Sequence, residues 1–397
     1  MSDDLGLPAD FPDMSEILEG VVVADFSRVL AGPMATMMLA DLGATVIKVE
    51  RPGAGDDTRH WGPPWTATTS SYFESVNRSK QSITLDLADP DDRAAAIRLA
   101  ERADVLVENF RTGSLASRGL GYDQLAEVNP GLVYCSITGF GSGAGADLPG
   151  YDFLVQAVGG LMSITGEADG EPSKVGVALV DVLTAKDATI GILAALTERA
   201  RSGRGQHVQV NLLSSLLGSL VNQAQSYLTT GRSPGRLGNA HPSIAPYETL
   251  HCADQPIAVA CGNDGQFAKL TAALGVEELA TDARFARNAD RVINRPALVD
   301  RLEAALRTAD AATWIERLTA AGVPAGAVGD LASAFDLAER LGLAPRVKLA
   351  DGEVDQVRHP VSYSRTPVRD YRRPPRLGEH TAEVITHLLG DQPEVAG

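Results

Sequence analysis

Asp181 stands at the end of the apolar run Val175-Gly176-Val177-Ala178-Leu179-Val180 and at the head of a helix-patterned stretch over residues 181–200. That order predicts a carboxylate where a buried strand hands over to a helix amino terminus, whose free N–H groups stabilise negative charge. A carboxylate held there can attack an activated carbonyl without a metal or a redox group. Aspartate is equally a favoured N-cap, so the local sequence leaves nucleophile and cap both open. Two loops, residues 139–150 with five glycines and residues 166–176, are expected to border a site.

The other chemistry-bearing residues are mostly basic. Arg28, Lys48, Arg51, Arg59, Arg78, Lys80, Arg111 and Arg118 fall near expected strand ends or in the loops after them. Open α/β sheets collect ligands at such edges, and Arg and Lys there suit a phosphate-bearing ligand such as coenzyme A. A solvated basic surface is the competing reading. The formal net charge of −16, from 35 Lys and Arg against 51 Asp and Glu, opposes nucleic acid or an anionic membrane as partner, so a polyanionic ligand needs a local basic cluster. Cys135, Cys252 and Cys261 lack metal-ligand spacing, and their odd number argues against a disulfide framework. His60, His207, His251, His359, His380 and His387 make no metal-binding pattern either, so no metal is expected.

The elements that must hold these residues alternate in type. VVVADF (residues 21–26) reads as a buried strand, residues 33–42 as a helix entered through Gly32-Pro33, and ATVIKVE (44–50) as a second strand. Further strands are expected at 82–87, 104–108 and 132–138, with helical patterns such as 90–103 between them, which favours a parallel sheet wrapped by helices. A strand at 207–211, an apolar helix to about residue 230 and the connector GRSPGRLGNAHP follow. The expected fold class is α/β, with a Rossmann-like large domain over 20–225 and a smaller α/β domain over 226–335, the latter opening on a strand at 256–261. Residues 1–19 read as a flexible acidic N-terminus. Residues 336–397 read as an extended Pro- and Arg-rich linker returning to the large domain, then a helix at 381–389.

The composition, 44% hydrophobic and 22% charged over 397 residues, is that of a globular protein with two cores. The start MSDDLGLPADFPDMSEILEG lacks a basic n-region and an apolar h-region, and no run of 18 apolar residues occurs, so a cytoplasmic protein is expected. Binding of a dinucleotide is disfavoured. FSRVLAGP is not GxGxxG, and Glu50, where a dehydrogenase would keep its ribose-binding acid, is followed by Arg51 rather than by the glycines of a pyrophosphate turn.

The ordered series DFSRVLAGPMATMMLADLGATVIKVERPGAGDDTR, NRSKQSITLDL, DVLVENFRTGSLASRGLGYDQL, GYDFLVQAVGGLMSITGE and SGRGQHVQV closely resembles the family III CoA-transferases, the CaiB/BaiF family. The likeness continues in GNAHPSIAPYETL and GNDGQF and reaches RLGEHT near the carboxyl terminus. It implies an interlocked homodimer and a catalytic aspartate that matches Asp181 in VGVALVD. It also implies CoA contacts at Val29, Ala31, Arg51, Leu85, Asn109, Phe110 and Arg118. CoA and acyl-CoA enter as substrates, and no cofactor is permanently bound. A substrate lid corresponds to Gly262-Asn263-Asp264-Gly265-Gln266, with Gly262, Asn263, Gly265 and Gln266 beside Tyr151 as substrate-facing positions. Leu30 replaces a glutamine of the formyl-CoA transferases and Ala88 replaces a lysine, which argues against formyl or oxalyl specificity.

The resemblance implies transfer of CoA from an acyl-CoA, such as succinyl-CoA, to a free carboxylic acid through an aspartyl anhydride and an aspartyl-CoA thioester. Oxyanion donors are expected from the helix start after Asp181 or from the loop at 262–265. The alternatives are a 2-methylacyl-CoA racemase and a non-catalytic acyl-CoA binding protein. Racemases pair the aspartate with a histidine in a GHD-type motif, and Tyr151 stands there in Gly150-Tyr151-Asp152. A phenol with an ordinary pKa near 10 is a poor exchange base at neutral pH. Tyr151 and Asp152 otherwise read as a packed aromatic and a helix cap, while His241 and Tyr247 either meet the acceptor acid or fix a turn.

Overall fold

The computed structural model describes residues 16–350, 352 and 354–390. Most of the expected acidic N-terminus, residues 1–15, and the last seven residues of the C-terminal segment lie outside the described residues. The chain falls into two compact units. The first holds residues up to Gly159, Gly176–Ala224 and Ala344 onward, and the second holds Gly160–Val175 and Gln225–Leu343. Residues 160–175, inside the span expected for the large domain, thus belong to the second unit.

The first unit is built on a six-stranded parallel sheet in the order β3-β2-β1-β4-β5-β6. Its strands are β1 Val22–Asp25, β2 Thr45–Glu50, β3 Lys80–Thr84, β4 Val105–Glu108, β5 Val133–Thr138 and β6 His207–Asn211. This is the doubly wound order, and its direction reverses between β1 and β4, so the ligand crevice opens beyond the carboxyl ends of those two strands. Strands this apolar need cover on both faces. Helices α1 Ala31–Asp41, α2 Ser71–Glu74, α3 Pro90–Arg102, α4 Tyr122–Val128, α5 Asp152–Val158, α6 Leu179–Ser202 and α7 Leu212–Ser219 lie between or after them, and α8 Val221–Thr230 spans the boundary between units.

On one face Ala95, Ala96, Leu99 and Ala100 of α3 pack on Leu106 and Tyr134. On the other, α1 and α6 pack together. α3 begins where Asp89 accepts from the amides of Asp91 and Asp92 and Pro90 takes the first helical position, two local signals that agree. α6 runs 24 residues and stops at Gly203, whose φ of 72° is a left-handed C-cap.

The expected strand at 175–180 does not form. Residues 171–178 carry no regular structure, Val177 is exposed, and Leu179 and Val180 already belong to the first turn of α6. A short apolar run before a helix is periodically indistinguishable from that helix's own first turn. Asp181 therefore sits inside the first turn, and Ala178, with no side chain able to cap, holds the N-cap position.

The second unit has an antiparallel sheet of β7 Tyr247–His251, β8 Pro256–Ala260 and β9 Ala325–Ala327. Helices α9 Asp264–Leu274, α10 Asn288–Ile293, α11 Arg295–Leu306, α12 Ala311–Ala320 and α13 Leu331–Arg340 accompany it. Phe267, Phe285, Leu298, Leu302 and Trp314 form its separate core. α13 takes up the first residues expected in the extended linker.

Beyond it the chain is largely irregular, with a two-residue pairing of β10 Arg346–Val347 and β11 Gln356–Val357, until α14 Thr381–Gly390. RLGEHT lies along the outer edge of β3. The Gly378 amide donates to Ser82 Oγ (2.9 Å), the His380 amide to the Ser82 carbonyl (2.9 Å), and the Thr84 amide to Thr381 Oγ1 (3.0 Å), so an otherwise open sheet edge is covered.

Candidate active site

Asp181 points from the first turn of α6 into a cleft, and a second carboxylate organises that turn. Asp152, at the start of α5, accepts through Oδ1 from the amides of Val180 (2.8 Å) and Asp181 (3.3 Å). The cap expected of Asp181 is thus supplied from 29 residues upstream by Asp152. Gln156, fully buried, donates to Asp152 Oδ2 at 2.6 Å and fixes it. The Leu179 amide donates to the Val177 carbonyl and the Val182 amide to that of Ala178, so the helix start offers no free N–H to an oxyanion, contrary to expectation.

Burial pushes the Asp181 carboxyl up to about 7, and the like charge of Asp152 adds to the rise. Tyr72 on α2 feels both carboxylates: burial, then Asp181, Asp152 and Asp56, push its phenol up to about 12, so it stays an O–H donor at neutral pH. Its ring meets Trp61 edge-on at 5.4 Å. Nothing in the local sequence marks Tyr72, because its nearness to Asp181 comes from the fold.

The loop after β1, residues 27–31, forms one wall. Asn109, after β4, accepts from the Arg28 amide (2.8 Å) and donates to the Arg28 carbonyl (2.6 Å), locking the two loops together at the switch point. Its amide group is therefore engaged in positioning the wall. Val29 has a φ of 71°, a left-handed conformation that a β-branched residue rarely adopts and that surrounding structure must enforce. The enforcing group is Asp56, whose carboxylate accepts from the Val29 amide and, at 2.9 Å, from Lys48 Nζ. Lys48 and Asp56 are fully shielded from solvent, and Lys48 also donates to the Ser27 carbonyl (2.9 Å). Behind it Asp25 takes Lys80 at 3.0 Å and the hydroxyls of Ser27 and Thr36. Burial alone would raise the Asp25 pKa, but the two lysines and these hydroxyls hold it down to about 2. Gly32 is needed beside this loop, since a Cβ there would stand 2.2 Å from Ser27 Cβ.

Glu50 is fully committed elsewhere. It pairs with Arg59 through both oxygens (2.7 and 2.8 Å), accepts from Ser82 Oγ (2.6 Å) and accepts from the Asp56 amide (3.0 Å), which leaves it no capacity for a ribose.

Two clefts meet at this wall. The larger, about 460 Å³, is lined by Val29, Leu30, Ala31, Asn109, Tyr151 and Asp181, together with glycines of the 139–150 loop. The smaller, about 260 Å³, is lined by Arg51, Leu85, Ala88 and Arg118. Arg28 and Phe110 line both, with the Arg28 guanidinium 5.0 Å above the Phe110 ring. Of the residues expected to act in the large domain, Asp181, Val29, Ala31, Arg51, Leu85, Asn109, Phe110, Arg118 and Tyr151 thus converge on one crevice. Tyr151 is 67% exposed, so it is not the packed aromatic of the alternative reading, and among the described residues no histidine lines the cleft. Sequence reasoning missed Tyr72, the Lys48–Asp56 pair and the capping target of Asp152.

Gly262, Asn263, Gly265 and Gln266 open α9 in the second unit. Asn263 caps the helix by accepting from the Gln266 amide (2.9 Å), Gln266 Oε1 accepts from the Gly262 amide (2.7 Å), and the buried Arg291 holds Asp264 at 2.6 Å. His241 and Tyr247 lie with ring centroids 5.3 Å apart, and Arg295 anchors the carbonyls of His241 and Ile244. Among the described residues no group of three or more His, Cys, Asp or Glu is placed to hold a metal ion, and no helix is long and apolar enough to cross a membrane.

The chain is 44% identical over 394 residues to the succinate–glutarate CoA-transferase of Agrobacterium fabrum, covering 96% of this chain and 97% of that protein. It is 41% identical over 388 residues to the succinyl-CoA:glutarate CoA-transferase of Mus musculus, covering 97% and 89%. The crystal structure of a CAIB/BAIF family protein from Brucella suis matches with a TM-score of 0.84 at 45% identity, covering 94% of this chain and 99% of that one. The family model described as CoA-transferase family III matches residues 18–381, from the strand before the Arg28 loop to the segment covering β3, and the chain accordingly belongs to CoA-transferase family III.

Proposed function

We propose that this enzyme transfers CoA from an acyl-CoA, with succinyl-CoA as donor, to a free dicarboxylic acid, using Asp181 as nucleophile. The observation that carries the reading is a half-buried carboxylate facing a cleft that continues past Arg28 and Phe110 into a recess with Arg51 and Arg118 in its lining. The names of the Agrobacterium and mouse relatives support the dicarboxylate class.

In the first step a carboxylate oxygen of Asp181 attacks the thioester carbonyl and expels CoA thiolate, leaving an acyl-aspartyl anhydride. The thiolate attacks the aspartyl carbonyl of that anhydride and expels the donor acid, giving the aspartyl-CoA thioester. The acceptor carboxylate then attacks this thioester carbonyl, forming a second anhydride and freeing the thiolate again. Attack of the thiolate on the acceptor's acyl carbon releases the new acyl-CoA and regenerates Asp181. Every intermediate stays activated, so no metal, redox partner or net proton is consumed.

Each oxyanion needs donors in place of the occupied amides of α6. Tyr72, whose phenol feels the Asp181 charge and keeps its proton at neutral pH, is the donor this reading assigns. In this reading the enzyme is an interlocked cytoplasmic homodimer; the exposed apolar side chains Ile190, Leu217 and Val221 support association with a second copy, which its mass in solution tests.

Incubation with succinyl-CoA and a panel of free carboxylic acids, followed by mass spectrometry, is expected to yield new acyl-CoA masses that identify the acceptor. No exchange, with deuterium uptake at the α-carbon of a 2-methylacyl-CoA, would instead make the protein a racemase. Absence of both signals, with CoA still bound, would make it a binding protein.

Asp152→Ala removes a cap and a like charge together. It is expected to lower stability by about 1 kcal/mol and to move the acid limb of the kcat/KM profile below the value near 7 held by Asp181. An unmoved limb would sink the pairing.

A further inference from the structure

We propose that Gln356, seated by Arg78, is a positioning residue for Tyr72: it steadies the one-turn helix that carries the tyrosine and so governs turnover from 282 positions beyond that helix. The inference deepens the proposed function and rests on Tyr72 being its oxyanion donor.

α2, Ser71–Glu74, is too short to hold itself, because a single turn fixes several backbone dihedrals for very few hydrogen bonds. Its position comes from what grips its ends. At the amino end Ser70 accepts from the Phe73 amide (3.1 Å), and Phe73 is buried with the Arg59 guanidinium 3.8 Å from its ring centroid. At the carboxyl end the last carbonyls of a helix lack intrahelical donors. Asn77 Nδ2 donates to the Phe73 carbonyl at 2.9 Å, and Gln356 Nε2 donates to the Glu74 carbonyl at 2.8 Å. Tyr72 lies between these grips.

The Gln356 amide is engaged at both of its ends. Arg78 Nη1 donates to Gln356 Oε1 (3.3 Å) and to the Val357 carbonyl (2.7 Å). An amide that turns its oxygen to a guanidinium presents its NH2 group to the other side, where the Glu74 carbonyl waits. Arg78 is itself immobile. Its Nε and Nη2 fork onto Asp41 at 2.8 and 2.6 Å, and its guanidinium stands 5.1 Å over the ring of Tyr371, with all three residues buried. His359 Nδ1 lies 3.1 Å from Asp41 Oδ2. Residues 356–359 are thus anchored at the carboxyl end of α1 and reach α2 with one donor.

An oxyanion donor works only where the charge develops, and a displacement of about 1 Å can cost about 100-fold in rate. Without the Gln356 N–H the carboxyl end of α2 loses a grip, and a turn free to tip carries Tyr72 with it. Neither Gln356 nor Arg78 lines the two clefts, so the effect falls on kcat rather than on KM.

The test is a double-mutant cycle on the full chain, read as exchange of isotopically labelled succinate into succinyl-CoA well below the thermal midpoint of each variant. Tyr72→Phe is expected to lower kcat about 100-fold. Gln356→Leu should lower it about 10-fold with KM for succinyl-CoA within about twofold, and Gln356→Glu, which keeps the Arg78 contact but offers Glu74 no N–H, should do the same. In the Tyr72→Phe background Gln356→Leu is expected to cost nothing further. A merely structural strap predicts losses that multiply, so multiplied losses overturn the proposal. So does a Gln356→Leu protein that turns over like its parent while Tyr72→Phe does not. If Tyr72→Phe turns over like its parent, the assignment of Tyr72 as donor falls and takes this inference with it. Absence of exchange in the unsubstituted protein brings down the succinyl-CoA reading as well.

Discussion

Replacing Asp181 by alanine is expected to reduce acyl-CoA exchange by about four orders of magnitude or more, because every step of the proposed cycle forms or breaks a bond to its carboxylate. The same change should stabilise the protein above neutral pH. Burial and then Asp152 raise the Asp181 pKa to about 7 in the folded chain, against about 4 unfolded. A carboxyl raised in this way aids folding below its unfolded value, and that aid is lost as pH rises through about 7. Above that pH the folded state holds a charge it disfavours, and removing it is worth on the order of 1 to 3 kcal/mol. Activity follows the opposite sense. The nucleophile must be ionised, so kcat/KM should rise with pH and level off above about 7. Urea titrations at pH 5 and pH 8, beside a pH–rate profile, check both halves. Full turnover by the alanine variant would end the assignment, and equal stability at both pH values would refute the electrostatic account.

Lys48→Met is expected to be the most damaging single change to stability, at about 3 to 5 kcal/mol, because it strands Asp56 and Asp25 in the interior with one cation fewer. The thermal midpoint should drop by about 10 °C. The change also loosens the Val29 turn, since Lys48 orients the Asp56 carboxylate that holds the Val29 amide, so KM for acyl-CoA should rise with it. The double variant Lys48→Met with Asp56→Asn tests the cause. Removing both charges is expected to recover part of the lost stability, because the neutral amide still accepts from Val29 while no charge remains unpaired. If the two losses simply add, the buried pair is not the reason.

Much of the scaffold follows from local pattern. β1, β2 and β6 are short apolar or alternating runs bounded by turn residues, and α3 carries its cap and proline beside it in sequence. The run at 175–180 reads in the sequence as a buried strand, wrongly; its assignment to loop and helix start depended on what packs there. RLGEHT was legible as a motif, but its contact with Ser82 and Thr84 joins residues almost 300 positions apart, which no local period encodes.

The amino-acid sequence by itself determined the alternation that makes a parallel sheet, the aspartate at the head of a helix, and the arginines near strand ends. These properties depend on residue type and short-range spacing, which hydrophobic periodicity and capping preferences report directly. Only the tertiary structure decided that Asp152 caps the helix bearing Asp181, that Lys48 and Asp56 hold Val29 in a left-handed turn, and that Arg28 stands at the neck of two clefts. Each depends on charged or polar groups meeting across distant segments in a low-dielectric interior, where burial sets both their ionisation and their cost, and burial is a property of the assembled fold.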